Sequence, residues 1–350
     1  PSGNEHYTEA ELRAKAEAQG KMFKWITTQD DLHYFIANNN NNLMNNGNVY
    51  AALSKNLELD WVGATKTYFG NDNSSMYTLG SNAIFDGNGY TISIKAGLGK
   101  GRYSSDVWTC DNNIMPVPNT DESGNANNKR DNINMIFTGY FFAKVEGTIK
   151  NTSFSFTSTH QVSTTKDLDT SKSLYNDTQY LVVAGIVAGA VIGGTVDNCR
   201  LDVNNNFVHG RNGIGYSGFD WKFFKENGVF TAGIAGLVTK GARINAVTVN
   251  IKNGATICSH ATGASSGTTR GGIAITGGVV GNYAPVGGTQ ITRVTLMGEG
   301  SVEAYMGYAN QDSHFQTFPG GVLGASMYFT DWGDWKNYII GESSYSTHYS

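Results

Sequence analysis

The chain has 350 residues, a formal net charge of −4 and a charged fraction of only 15%. It lacks the basic balance that nucleic-acid binding requires, so we expect no nucleic-acid partner. Glycine is abundant, with 44 residues, whereas proline is rare, with 5, and 39% of the residues are hydrophobic. This combination is typical of many short strands joined by tight turns, and it argues against disorder.

No segment approaches the roughly 18 uninterrupted apolar residues that a membrane span needs. The most apolar segment, 181–196, is interrupted by glycine and threonine, so we expect a chain that is not transmembrane. The sequence begins Pro-Ser-Gly, which fits a mature product whose signal has been removed, and we expect a secreted or cell-surface location. Three cysteines without a CxxC motif predict buried thiols.

The N-terminal residues carry two helix signals. Thr8 precedes two glutamates and predicts a helix that ends near Ala18. Thr28 predicts a second helix, which places Leu32, Phe35 and Ile36 on one face. We interpret residues 1–46 as a helical arm and cap, with a polar asparagine-rich loop over 38–46, that covers the first strands of a repeating β structure.

The remainder of the chain repeats itself. Glycines that begin short apolar, glycine-rich segments recur about every 43 to 48 residues, at positions 139, 185, 233, 278 and 321. Each apolar segment is read as a short strand, and a second strand follows in which apolar and polar residues alternate. Val247, Val249 and Ile251, for example, are predicted to point inward, and Thr248 and Asn250 outward. The repeat period is longer than one simple coil of strands requires, so each repeat is predicted to carry an extra strand or a long side loop.

These repeats predict an all-β chain, a parallel β-solenoid with a short helical N-terminal cap. The solenoid is assigned to 47–317, with loop insertions at 98–131, 157–179, 204–228 and 252–270. Residues 318–350 are assigned to an aromatic C-terminal cap and tail. An ordinary sandwich or barrel is the alternative reading of the same glycine-flanked segments.

The sequence resembles bacterial surface proteins that carry GLUG-type repeats. The resemblance rests on four motifs that follow each other in the family's order: Ile26-Thr27-Thr28-Gln29-Asp30-Asp31-Leu32, Val49-Tyr50-Ala51-Ala52-Leu53 through Leu57-Glu58-Leu59-Asp60, Ile84-Phe85-Asp86-Gly87-Asn88-Gly89-Tyr90-Thr91-Ile92 and Gly147-Thr148-Ile149-Lys150-Asn151. It covers roughly residues 24–300 and departs from the family pattern at Gly139-Tyr140-Phe141-Phe142. The resemblance implies a right-handed parallel β-helix on the cell surface.

The motif Asp86-Gly87-Asn88-Gly89 is the first candidate for chemistry. Asn-Gly and Asp-Gly pairs supply the positive φ of a tight corner, so we interpret it as a turn. A catalytic or calcium-binding Asp86 is the alternative. Enzymes that cleave sugars need converging carboxylates, and the outward positions of successive repeats offer Asp197 and Asp202, then Asn245 and Asn250, then Gln290 and Thr295. Because no carboxylate row forms, we expect no enzyme, although insertion loops leave Asp106, Asp111 and Asp220 open.

Metal and cofactor motifs are scarce. The seven histidines include no pair with the i, i+4 spacing of a zinc site on a helix. No dinucleotide-binding or phosphate-binding glycine motif follows a strand, so we expect no cofactor. Asn71-Asp72-Asn73 and residues 121–131 contain oxygen ligands near glycine and keep a structural calcium ion open as an alternative.

The densest aromatic segment contains Tyr216, Phe219, Trp221 and Phe223. If exposed, these side chains would bind sugar rings or another protein; otherwise they fold back onto the solenoid. Asparagines in Asn-X-Ser/Thr sequences are candidate glycosylation sites, namely Asn73, Asn151 and Asn176.

We therefore expect a non-enzymatic extracellular protein with a structural or adhesive role, which associates with itself end to end or by exchange of terminal segments and forms filaments. The first alternative is a glycan-binding module that recognises host or matrix glycans. The second is a polysaccharide lyase or hydrolase on the same fold.

Overall fold

The computed structural model describes residues 6–59, 78–95, 104–111, 132–158, 181–212, 228–262, 272–285, 287–307 and 315–326. Two α-helices, α1 (Glu9–Ala18) and α2 (Gln29–Asn38), are followed by a 3₁₀ helix (Asn42–Gly47). The rest of the regular structure consists of strands. The all-β class predicted from composition is confirmed.

The strands follow one another in chain order with short connections between most of them. Their bounds are β1 (Met22–Ile26), β2 (Val49–Leu53), β3 (Leu57–Leu59), β4 (Thr78–Leu79), β5 (Ile84–Asp86), β6 (Thr91–Ile94), β7 (Ser104–Asp111), β8 (Asn132–Gly139), β9 (Phe142–Val145), β10 (Thr148–Lys150), β11 (Ser153–Phe156), β12 (Leu181–Gly185), β13 (Ala188–Ile192), β14 (Thr195–Val203), β15 (Phe207–Asn212), β16 (Gly228–Ala232), β17 (Ala235–Thr239), β18 (Arg243–Ile251), β19 (Thr256–Thr262), β20 (Gly272–Gly277), β21 (Val280–Tyr283), β22 (Gln290–Thr292), β23 (Thr295–Gly298), β24 (Ser301–Gly307), β25 (Phe315–Gly320) and β26 (Leu323–Ala325).

The strands form four sheets, and two full repeats, β12–β15 and β16–β19, each add one strand to each sheet. The chain from β12 to β15 enters the second, third, long and fourth sheets in turn, and β16 to β19 repeat that order one strand further along. The second sheet runs β25-β20-β16-β12-β8-β7, the third β26-β21-β17-β13-β9-β4, and the fourth β15-β19-β24, while the long sheet has 11 strands. The pairs are parallel except for β7 with β8, which is antiparallel. The extra strand that the long period predicts is present.

One hydrophobic core lies between the sheets. Fully buried side chains from four consecutive strands, Ala184, Val191, Val196 and Phe207, belong to the same cluster. The inward positions predicted for β18 are confirmed, because Val247, Val249 and Ile251 are buried. Of the two residues predicted to point outward, Thr248 is partly exposed, whereas Asn250 is buried. Each such side chain contributes about 1.5–3 kcal/mol on burial. No single repeat encloses this core by itself, so each needs its neighbours.

The two helices cover different parts of the first strands. Helix α2 places Leu32, Phe35 and Ile36 in the main core, as predicted, and the ring centroid of Phe35 lies 5.9 Å from that of Phe85. Helix α1 instead packs on the outer side of β1 and β2, where Leu12 and Ala16 contact Tyr50 and Ala52. Both helices begin with capping boxes, at Thr8 and Thr28, so both predicted starts are confirmed.

Three predicted boundaries are wrong. The long sheet begins at Met22 rather than after residue 46, because β1 pairs in parallel with β2 between the two helices. The stretches 204–228 and 252–270, assigned to insertions, contain β15 and β19 of the fourth sheet. Residues 318–320 and 323–325, assigned to the cap, lie in the regular strands β25 and β26. The strands concerned have three to seven residues, which is too few to show a clear alternation.

The glycine-flanked segments are corners rather than single strands. In Gly185-Ile186-Val187-Ala188-Gly189 the chain bends at residues 186–187, between β12 and β13. A side chain at Gly185 would place its Cβ 1.9 Å from the carbonyl oxygen of Ala188, so the corner is tight. The register also shifts the predicted alignment by one residue, since Gly185 pairs with Ala232, which in turn pairs with Gly277.

Candidate functional site

Several predicted site residues lie outside the described part of the chain. They are the aromatic residues Tyr216, Phe219, Trp221 and Phe223, the sequons at Asn73 and Asn176, both candidate calcium stretches and Asp220. Asp106 and Asp111 lie on β7. The candidate sites within the described residues are therefore the Asp86 turn, the outward side of the long sheet and the last repeat.

The Asp86-Gly87-Asn88-Gly89 motif is a turn, with φ of 51° at Asn88 and 76° at Gly89. It also holds a buried carboxylate, because Asp86 is only 2% exposed. The backbone N–H of Asn88 donates to Asp86 Oδ1 at 2.8 Å, and Asn151 Nδ2 donates to the same oxygen at 3.1 Å. The Tyr50 hydroxyl donates to Oδ2. The three donors lie on β2, in the turn after β5 and in the turn after β10. They therefore satisfy the carboxylate's hydrogen-bonding capacity and connect the first repeats.

A cation completes the surroundings of Asp86. Lys150 Nζ lies 3.8 Å from Asp86 Oδ2 and 5.0 Å from the centroid of the Tyr50 ring. Burial, followed by the hydrogen bond to Asp86, holds the pKa of the Tyr50 hydroxyl well above its ordinary value. Tyr50 therefore stays protonated and acts as a permanent donor. We call Tyr50, Asp86, Asn88, Lys150 and Asn151 the Asp86 cluster.

The N-terminal arm docks on the same turn. The side-chain amide of Asn88 accepts from the backbone N–H of Tyr7 at 2.8 Å and donates to the Tyr7 carbonyl at 2.9 Å. The ring of His6 stacks on Tyr90 with centroids 3.7 Å apart, and His6 Nδ1 lies 2.7 Å from the Asn88 carbonyl oxygen. Asn88 thus binds the backbone of Tyr7 through one donor and one acceptor, as a neighbouring strand would. These contacts fix the start of α1 against a turn of the same chain.

Outward polar side chains of the long sheet are paired from one strand to the next. The predicted register of Asp197 with Asn245 and of Asp202 with Asn250 is confirmed. Asn245 Nδ2 donates to Asp197 Oδ1, and Asn250 Nδ2 donates to Asp202 Oδ1 at 3.0 Å. The third members of these rows are predicted wrongly, because the connection from β21 to β22 is two residues longer, between paired positions, than the one from β17 to β18, and this displaces the register by two residues.

The corrected third members are Thr292, opposite Asn245, and Met297, opposite Asn250. Gln290 instead pairs with Arg243, and Thr295 pairs with Thr248. Thr292 Oγ1 donates to Asn245 Oδ1 at 2.9 Å. One row of the sheet therefore reads Asp86, Lys150, Asp197, Asn245 and Thr292 across five adjacent strands.

Asp202 has the strongest charged partners on this face. Its carboxylate accepts from Arg200 Nη2 at 2.9 Å and from Arg200 Nε at 3.2 Å. Desolvation alone would raise the pKa of Asp202, but the hydrogen bonds from Arg200 and Asn250 outweigh it and lower the pKa. Asp86, Asp197 and Asp202 thus all accept hydrogen bonds from side chains in the described residues. The arrangement suits a stabilising ladder better than a pair of carboxylates free to exchange protons.

The structure gives Asn151 a role other than carrying a glycan. Its Nδ2 donates to Asp86, and its Oδ1 accepts from Asn198 Nδ2 at 2.9 Å. The following Thr152 of the sequon is 1% exposed. A sugar at Nδ2 would replace one of its two hydrogens and would have to fit beside the buried carboxylate that Nδ2 contacts, which disfavours modification here.

Cys110 lies on β7, and Cys199 and Cys258 are buried, as predicted. Burial raises the pKa of the Cys199 thiol to about 12, so it is a packing residue without thiolate character. In the described ranges, no three His, Cys, Asp or Glu side chains come close enough together to hold a metal ion.

The last repeat is the most open part of the described core. Ile291, Val294, Leu296, Val302, Val322 and Leu323 pack against the core but remain partly exposed. In the preceding repeat the residues that pair with Ile291 and Leu296, Ile244 and Val249, are fully buried.

Sequence reasoning missed this contrast, and it also missed the Asp86 cluster. The recurrence of a polar residue followed by Asn, in Lys150-Asn151 and Asp197-Asn198, was the available signal.

Neither described helix has the length and apolar character that crossing a membrane requires, and no other described segment is a candidate helical span. When the chain was compared with family models, curated proteins and solved structures, no match was found.

Proposed function

We propose that the chain is an extracellular structural or adhesive protein built as a right-handed parallel β-helix of the type implied by the GLUG-like motifs. One observation carries the proposal: equivalent strands of successive repeats pair in parallel and in register, around a shared core. Such stacking makes a rigid support, because each repeat is held by both neighbours. A rigid support that presents loops is what an adhesive or filament subunit requires.

The paired polar rows favour a structural role over a catalytic one. A catalytic face needs carboxylates whose protonation can change during a reaction. Asp86 and Asp202 are instead committed to hydrogen bonds between strands. Self-association fits the same proposal, with the last repeat as the surface available for it, since α2 already covers the first strands.

Electron microscopy and sedimentation of the purified full chain test this proposal. We expect rods or head-to-tail polymers that lengthen with protein concentration. A matched variant, Leu296→Asp, places a charge on the partly exposed last repeat and should shorten any polymers. A dispersed monomer at high concentration that also fails to adhere to cells or matrix would contradict the proposed role.

A glycan-binding role is the second candidate, and the topology favours one place for it. The connections from β15 to β16, from β19 to β20 and from β24 to β25 all leave the fourth sheet and enter the second. Because β15, β19 and β24 are neighbours, the strand ends from which these connections leave lie side by side. The first of them contains Trp221. A glycan array with the wild type and Trp221→Ala, with Trp108→Ala as a matched control, tests this role; equal binding by all three proteins would remove it.

A further inference from the structure

The outward side of the long sheet changes character along the stack. The outward residues of β10 and β14 are polar, namely Thr148, Lys150, Thr195 and Asp197. In the same two rows, the residues of β1 and β2 are apolar or aromatic, namely Phe23, Trp25, Tyr50 and Ala52. They form a cluster separate from the main core, so the inward packing of the strands does not require them. We call Phe23, Trp25 and Tyr50 the outer aromatic face.

Helix α1 covers the outer aromatic face only in part. Leu12 and Ala16 are the two buried residues of α1, whereas α2 buries five. Phe23 and Trp25 remain partly exposed beside α1. The guanidinium of Arg13, rather than an apolar side chain, lies over the Phe23 ring, 4.9 Å from its centroid. The aromatic surface is therefore larger than the area that α1 buries.

Few contacts hold α1 in place. Besides Leu12 and Ala16, its N-terminal end is held by Asn88, whose side chain forms two hydrogen bonds with the Tyr7 backbone. The chain then enters β1 through Gly20, which has a φ of 65°. An isolated helix of this length is marginal in water, so α1 docks and unfolds as a unit. Segments with few buried contacts open locally, at a lower free energy than that of global unfolding.

We propose that the outer aromatic face is a glycan-binding site and that α1 is a lid over it. The rings of Phe23 and Trp25 have centroids 5.9 Å apart and an interplanar angle of 30°, so they present one nearly continuous apolar surface. Flat, neutral β-linked sugar chains carry C–H groups on their ring faces, which pack on such a surface, and hydroxyl groups at their rims. Lys150 Nζ, 5.0 Å from the centroid of the Tyr50 ring, is a donor for those hydroxyl groups.

The glycan and the lid compete for the same rings. Leu12 and Ala16 lie against Tyr50 in the closed state, so a glycan reaches the whole face only when α1 has left it. The apparent dissociation constant then equals the intrinsic constant divided by the fraction of open molecules. The inference adds a ligand site and its regulation to the proposed role, and it concerns a different part of the chain from the segment that contains Trp221.

Binding of cello-oligosaccharides and chito-oligosaccharides to the full chain, measured by calorimetry, tests the inference. Leu12→Asp places a charge under α1, so it should open the lid and strengthen binding by at least about tenfold. Leu43→Asp, at a position that is 64% exposed, is the matched control and should leave binding unchanged. Adding Trp25→Ala to Leu12→Asp should abolish the gain, whereas adding Trp221→Ala should leave it intact.

Asn88→Gly opens the lid in a second way. Glycine keeps the positive φ and the backbone N–H that donates to Asp86, but it removes both hydrogen bonds to Tyr7. Binding should therefore strengthen in the same direction as in Leu12→Asp. Hydrogen exchange of the same samples checks the structure: the amides of α1 should exchange faster in both variants, while those of β14 and β18 keep their protection.

The outcomes separate a glycan site from a merely structural helix. Unchanged binding in a variant whose α1 amides exchange freely and whose β14 amides stay protected would overturn the inference. A gain that survives Trp25→Ala would also overturn it, because the rings would then not be the site. Open variants that dimerise in sedimentation without binding either oligosaccharide would assign the face to a second copy and overturn it as well. Failure of the polymer assays of the proposed role would leave the difference between the wild type and Leu12→Asp unaffected.

Discussion

The first and last repeats of the sheets end in different ways. At the first strands, α2 inserts Phe35 into the core, α1 covers the outer side of β1 and β2, and the Asp86 cluster ties the turns together. At the last described strands, apolar side chains such as Leu296 remain partly exposed. The interior strands are nearly equivalent to one another. Among the described residues, the two ends of the stack are therefore where the structure departs most from the repeat.

The largest expected effect is at the covered end. Phe35→Ala removes a fully buried ring that contacts Phe85, so it should destabilise the protein by about 3–5 kcal/mol. Urea unfolding followed by circular dichroism measures this change. Leu43→Ala is the matched control, since Leu43 is 64% exposed, and it should be close to neutral. Equal midpoints for the two variants would show that α2 does not cap the core.

A pair of leucines in one row sharpens the comparison between interior and end. Leu201→Ala should cost about 2–5 kcal/mol because Leu201 is fully buried. Leu296→Ala should cost less, because Leu296 is partly exposed. Urea unfolding of both variants measures the difference. Equal costs for the two variants would show that the last repeat is as well covered as the interior.

Polar contacts should differ between the two ends as well. Tyr50→Phe removes the donor to the buried Asp86 carboxylate and should cost about 1–3 kcal/mol. Thr292→Val removes the exposed hydrogen bond to Asn245, in the same row, and should cost less than about 0.5 kcal/mol. Thermal unfolding of the two variants provides the test, and the reverse order would contradict the importance of the Asp86 cluster.

The smallest expected effect is a pH dependence in the middle of the long sheet. The pKa of Asp202 is lower in the folded state than in the unfolded chain. Its stabilising contribution is therefore complete above about pH 4 and is lost as the pH falls through the lowered pKa. The contribution should be below about 1 kcal/mol because the carboxylate is partly exposed. Asp202→Asn should flatten this acid limb in urea titrations between pH 2 and 6, and an unchanged limb would count against the Arg200 contact.

The sequence predicted the features that depend on local pattern. Thr8 and Thr28 correctly predicted the starts of the two helices, and the spacing of Val247, Val249 and Ile251 correctly predicted the inward face of β18. It did not predict features that depend on residues from different repeats. The register of β22 depends on the length of the turn after β21, and that length has no signature in the strand itself.

The candidate site was only partly predictable for the same reason. Asp86-Gly87-Asn88-Gly89 was read correctly as a turn, since Asn-Gly favours positive φ wherever it occurs. The burial of Asp86 and its bond from Tyr50 arise because β2 and β5 are neighbours, although the two residues are 36 apart in the sequence. The docking of Tyr7 on Asn88 spans 81 residues and has no local signal at all.

The central claim is that successive repeats stack in parallel with a fixed register, and cysteine cross-linking tests it most directly. Thr248 and Thr295 are outward neighbours on β18 and β23, whereas Ser153 and Thr248 are separated by the strand that carries Arg200. Adjacent strands lie about 4.8 Å apart, within the Cα range of a disulfide, and strands two apart lie beyond it. Under mild oxidation the account predicts a disulfide in the Thr248→Cys/Thr295→Cys protein and none in the Ser153→Cys/Thr248→Cys protein. A disulfide in the second protein only would contradict the stacking.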